Sequence, residues 1–223
     1  MTVLLVVLTF AAFLLIDYFR TRNANVQPAI HATEAKETRP RPQPALVRGF
    51  QVPENLRYHP GHTWALQESP SLVRVGMDDF ASKVTGTVES ITLPQRGSWI
   101  RQGQRMCTIH RDGTAVDMVS PIEGTVADVN EGVTQNPKLA VGDPYGDGWL
   151  MTVQSPDAKT NFRNLLGGAM ARWWMEEAAT RLQARIPMPA GALAQDGGVA
   201  VDNVTSQIPD QDWTKLAKEF FLS

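Results

Sequence analysis

Cys107-Thr-Ile-His-Arg-Asp-Gly-Thr-Ala-Val-Asp-Met-Val-Ser-Pro121 reads as two β runs folded about the pair Asp112-Gly113. Asp-Gly is a favoured pair for a two-residue type I′ turn, because both central positions need positive φ and these two residues tolerate it. The tip is then Arg111-Asp112-Gly113-Thr114, with the strands in a register fixed by the turn. Outward from this hairpin the chain repeats itself. Gly86-Thr87-Val88-Glu89-Ser90-Ile91 lies before it and Gly124-Thr125-Val126-Ala127-Asp128-Val129 after it. Trp99-Ile100 continues the first copy as strand, and a looser, more polar segment follows the second. Such an internal echo of β units predicts a pseudo-symmetric, flattened β barrel.

The flanking segments fit that core. Thr63–Gln67 and Leu72–Gly76 read as strands around the turn Glu68-Ser-Pro-Ser71. Asp78 is placed to cap a short helix over Asp79–Val84 that ends before Gly86. Asp143-Pro-Tyr-Gly-Asp-Gly148 is dense in turn formers and leads into a strand over Trp149–Gln154. Beyond Pro156 the periodicity becomes helical. Phe162, Leu166, Met170, Trp174, Ala178 and Leu182 recur every fourth residue, with Leu165, Ala169 and Trp173 beside them. Gly167-Gly168 separates a short turn from a main helix near Ala169 to Ala184, where Glu177 and Arg181 are spaced as a pair. Residues 187 to 208 read as loop. A last helix over Asp212–Phe221, capped by Asp210 or Asp212, puts Trp213, Leu216, Ala217, Phe220 and Phe221 on one face.

Three further motifs, Tyr58-His-Pro-Gly-His62-Thr-Trp64, Val75-Gly76-Met77-Asp78-Asp79-Phe80-Ala81 and Asp143-Pro-Tyr-Gly-Asp-Gly-Trp-Leu150, together with the hairpin, closely resemble the H protein of the glycine cleavage system over residues 56 to 170. The resemblance implies a barrel-sandwich hybrid of the lipoyl and biotinyl type. It also implies a carrier role. In that family a Glu-Ser-Val-Lys-Ala segment forms the hairpin, its lysine carries lipoate, and a Ser-Pro pair follows a few residues later. Counting back from Ser120-Pro121 puts the lysine position on Gly113, in a tip made of Arg111, Asp112, Gly113 and Thr114. Glycine has no amine to acylate. Lys83 and Lys138 are the nearest lysines in sequence, and both lie outside the hairpin.

Residues Thr2 to Phe19 form an apolar run broken only by Asp17. Its length is near the short limit of a bilayer span. Arg20 and Arg22 follow it, and neither a basic start nor a small-x-small cleavage site is present, so the run reads as an uncleaved anchor with the rest of the chain on the cytoplasmic side. Arg39-Pro-Arg-Pro-Gln-Pro44 sits in a polar segment that favours extended polyproline II. The expected organisation is a transmembrane anchor over 1–20, a proline-rich linker over 21–52, a β domain over 53–158 and a helical extension over 159–223. The fold class is mainly β with flanking helices.

The 223 residues carry a net charge of −2 and one cysteine. That balance gives no electrostatic case for nucleic acid, and one cysteine excludes an intrachain disulfide or a multi-cysteine metal cluster. Cys107 reads as a buried strand residue. His59 and His62 are interrupted by Pro60-Gly61 and have no partner set for a metal, so they read as structural. No catalytic triad or phosphate loop is legible, and neither an enzyme nor a bound cofactor is expected. The expected function is a non-lipoylated docking module at an inner or plasma membrane, with Trp173, Trp174, Phe220 and Phe221 as candidate anchors for an unidentified protein partner. The alternative is a lipoate-linked carrier that moves an aminomethyl or acyl intermediate.

Overall fold

The computed structural model describes residues 45–185 and 210–222, with Leu15 alone before them and side chains of the last helix from Trp213 onward. Clustering of the backbone separates Met1–Pro42 from a compact unit, Gln43–Ser223. Among the described residues no helix is long and apolar enough to cross a membrane. The expected anchor lies outside the described residues, except for Leu15.

Among the described residues, eleven antiparallel strands build the β domain: β1 Ala45–Val47, β2 Phe50–Val52, β3 Arg57–His59, β4 Thr63–Gln67, β5 Leu72–Met77, β6 Ser90–Thr92, β7 Trp99–Ile100, β8 Arg105–Arg111, β9 Thr114–Val119, β10 Gly124–Val129 and β11 Met151–Gln154. A six-stranded sheet has the order β3-β4-β5-β11-β10-β7, a second has β6-β8-β9, and β1-β2 form a hairpin of their own. Among the described residues from 45 onward the helices are α1 Asp79–Thr85, α2 Glu131–Gln135, α3 Lys138–Gly142, α4 Ala158–Arg163, α5 Gly168–Arg185 and α6 Asp210–Phe221. The class is mainly β with flanking helices, as the sequence patterns indicate.

Alternation explains the strands that were legible. In β8 the side chains of Cys107 and Ile109 are buried, and in β9 those of Val116 and Met118. Trp64 is opposite Gly76 across β4 and β5. A Cβ at Gly76 would come within 2.7 Å of the Trp64 ring, so the indole occupies the space a side chain would need. Its Nε1 donates to the carbonyl of Pro144 at 3.0 Å, which ties the Asp143–Gly148 turn to the sheet.

Three expectations change. The linker drawn to residue 52 stops short, because β1 and β2 close over Arg48-Gly49 with φ of 52° and 87°, and Phe50 and Val52 enter the core. The first copy of the echo is strand only at Ser90–Thr92. Gly86 turns the chain there and its N–H bonds back to Ser82, so Gly86–Glu89 leaves α1 rather than joining a sheet. The apolar stripe of α5 also moves. Ala171, Trp174, Met175, Ala178, Ala179 and Leu182 are buried, whereas Met170 is 58% exposed and Trp173 62%. A row taken every fourth residue runs ahead of a 3.6-residue turn, so its members drift off one face. The short helices α2 and α3 lie in the looser, more polar segment that follows the second copy of the echo.

Candidate functional site

The hairpin closes as its sequence dictates. His110 pairs with Ala115 and Arg111 with Thr114. Asp112 and Gly113 take φ of 49° and 73°, the pair of positive values that a type I′ turn needs. Thr114 Oγ1 donates to the carbonyl of Arg111 at 2.7 Å. A Cβ built on Gly113 meets nothing within 4 Å, so the tip points into open space. The position is suited to an outward side chain and carries none.

Arg111 does not follow the tip outward. Its side chain is 6% exposed; Nε donates to Asp112 Oδ2 at 3.0 Å and Nη1 to the Thr85 carbonyl at 2.9 Å. The guanidinium also lies 5.1 Å from the centre of the Trp213 ring. The hairpin is thereby bonded to α1 and to α6, which packs along β9. Trp213 Nε1 donates to the Val84 carbonyl at 3.0 Å. Phe220 lies against Phe80 with ring centres 5.0 Å apart, and Arg181 sits over Phe220 at 5.3 Å.

Beneath α6 is a histidine–carboxylate pair. His62 Nδ1 is 2.9 Å from Asp78 Oδ2, while Asp78 Oδ1 accepts the Ala81 N–H at 2.8 Å as the cap of α1. The ring stacks on Phe80 at 4.0 Å and approaches Trp174 at 4.6 Å. A carboxylate accepts only, so in this contact Nδ1 is the donor. Nε2 has no partner among the described residues. Full burial keeps it out of reach of a substrate. His59 instead accepts the Gly61 N–H on Nδ1 at 3.1 Å, and burial, with His62 nearby, holds its pKa below the usual histidine range. Among the described residues no group of three or more histidine, cysteine or acidic side chains is placed to hold a metal.

Asp79 is an ion-pair partner as well as part of the helix start. Lys83 Nζ donates to its Oδ2 at 2.5 Å and the Gln51 N–H at 2.8 Å, while its own N–H donates to Tyr145 Oη at 3.0 Å. Burial nonetheless pushes its carboxyl above the usual range. Lys83 is buried, whereas Lys138 is exposed at the start of α3. Neither belongs to the hairpin. Burial, reinforced by the charge of Asp117, pushes the Cys107 thiol up to about 12.

Of the four aromatic side chains expected to offer anchors, the structure buries three. Trp174 is 8% exposed, Phe220 2% and Phe221 0%. Trp174 turns toward His62 and Tyr58, and α6 turns its apolar face inward. Only Trp173 of the four presents its ring to solvent. The covering of the hairpin base by α6 was not legible in sequence; the apolar face was visible, but not the surface it meets.

Comparison with known proteins agrees with the motifs. The family model described as glycine cleavage H-protein matches residues 56–177. The glycine cleavage system H protein of Alteromonas mediterranea is 35% identical over 107 residues, covering 48% of this chain and 83% of that protein. A probable glycine cleavage system H protein 2 of Sulfurisphaera tokodaii is 34% identical over 132 residues, covering 57% and 87%. The crystal structure of a glycine cleavage system H protein from Mycobacterium marinum is 26% identical, with a TM-score of 0.48, and covers 54% of this chain and 95% of that one. With more than half its length inside the family model, the chain belongs to the glycine cleavage H-protein family.

Proposed function

We propose that this family member is a non-lipoylated docking module, tethered to a membrane by its N-terminal run and built on a barrel-sandwich hybrid. The observation that carries the reading is Gly113 at the open tip of the β8–β9 hairpin. A swinging acyl arm needs a primary amine on an exposed apex. Here the apex is exposed and the amine is absent. Lys83 is held by Asp79 inside the domain, and Lys138 starts a helix away from the hairpin.

With the arm gone, recognition passes to the surface. Trp173 is the candidate anchor for a protein partner, since a large exposed aromatic at a helix surface is the kind of side chain that dominates interface energies. The apolar run Thr2–Phe19 followed by Arg20 and Arg22 supports an anchor with the β domain on the cytoplasmic side. A second reading, a lipoate-linked carrier, draws support from the family itself and from the names of its relatives. It requires a modified amine that the hairpin does not offer.

Intact mass of the chain purified from its native source separates the two. The expected result is the unmodified mass. An increase of one lipoyl unit on any lysine overturns the docking reading in favour of the carrier.

A further inference from the structure

Away from the hairpin and from α6, a cleft of about 370 Å³ opens between α1 and α3, lined by Ser82, Lys83, Val88, Lys138, Val141 and Gly142 among others. The two lysines that the sequence placed apart meet here. We propose that this cleft binds a small carboxylate with a short aliphatic body, with Lys138 at its mouth as the cationic partner. The site is independent of the docking reading.

Charge and shape each contribute. Lys83 has its Nζ turned to Asp79 and over the Phe50 ring, 5.7 Å from its centre, so it offers the cleft its methylene stem rather than its charge. Val88 and Val141 extend that apolar wall. Lys138 is exposed and no ion pair to it occurs among the described residues. A single uncompensated cation beside an apolar wall selects a monoanion with a hydrocarbon body. The volume is in the range of small-molecule pockets, roughly 300–1,000 Å³.

Gly142 supplies an independent observation. It has no positive φ, and a Cβ added to it meets nothing within 4 Å. Neither backbone conformation nor crowding requires glycine at this point in α3. Gly142 lines the cleft without a side chain of its own. Lysine at 138 and glycine at 142 lie one helical turn apart on α3, and both line the cleft.

The test uses the full-length chain, with hexanoate as the probe and hexanamide as its neutral counterpart, followed by backbone amide NMR shifts. Saturable shifts at Gly86, Thr87, Val88 and Gly142, half-complete below about 5 mM hexanoate, are expected. Lys138→Glu and Gly142→Leu should each weaken binding at least tenfold, with unchanged thermal midpoints showing that both variants stay folded. Lys138→Ala serves as the second charge variant if Lys138→Glu is unstable. The proposal is overturned by an absence of saturable shifts, by equal affinity for hexanamide, or by binding that survives these substitutions.

Discussion

Gly113 and Arg111 sit two residues apart in the tip of the β8–β9 hairpin and obey different physics. At the tip, Gly113 touches nothing and its replacement is limited by backbone strain alone. Arg111, beside the turn, is instead bonded to the Thr85 carbonyl and lies over the Trp213 ring, so it joins strand, α1 and the C-terminal helix in one contact set. The family carries its chemistry at the tip. In this chain Gly113 leaves the tip without a side chain, while Arg111 lies against Trp213 of α6, a helix beyond the matched residues 56–177.

The largest expected effect falls on that helix. Trp213 is fully buried and bonded through Nε1 to the Val84 carbonyl, so Trp213→Ala should destabilise the domain by about 3–5 kcal/mol, the usual cost of truncating a buried aromatic. The midpoint and slope of urea unfolding, compared with the parent chain, give the measurement. A loss below about 1 kcal/mol would mean that α6 is an optional attachment, and the distinction between the anchored Arg111 and the free Gly113 would collapse.

A smaller effect is expected at the tip. Gly113→Lys introduces a side chain with room around it but forces a non-glycine residue to φ of 73°. The expected cost is about 1–2 kcal/mol from left-handed strain. The same unfolding experiment measures it. If the variant also gains one lipoyl unit by mass, the flanking Arg111-Asp112 and Thr114 are still readable to a ligase, and the tip has lost its amine without losing its recognition.

The smallest effect is an absence of reaction inside the hairpin. Because burial and Asp117 push the Cys107 thiol up to about 12, almost none of it is thiolate at pH 8. Native protein should therefore leave a disulfide reagent unreacted at that pH, and unfolded protein should consume one equivalent per chain. Rapid native labelling would show that the hairpin opens locally, which would blur the division between the anchored Arg111 and the free Gly113.

Much of the β domain was legible because short-range chemistry writes it. Asp-Gly fixes a two-residue turn, alternation sorts Ile109 and Met118 inward, and Asp78 caps α1 through the Ala81 N–H. The β1–β2 hairpin escaped notice because Arg48-Gly49 is a weaker turn signal than Asp-Gly and each strand is only three residues long. The second role of Asp78, orienting His62, could not be read from a chain in which the two residues are 16 positions apart. The same holds for Arg111 and Trp213, whose contact depends on where a distant helix comes to rest.

The sequence by itself determined a glycine at the hairpin tip and the apolar face of α6, because residue identity and a helical spacing of aromatic residues are properties of the chain. Only the tertiary structure decided which surfaces those aromatics would bury. It turned Phe220 and Phe221 inward and left Trp173 outside, because α6 packs on β9 and α1 while the apolar face of α5 is set by its 3.6-residue turn rather than by every fourth residue. It also brought Lys83 and Lys138 to one cleft, since packing between α1 and α3, which no local pattern encodes, closes the distance between them.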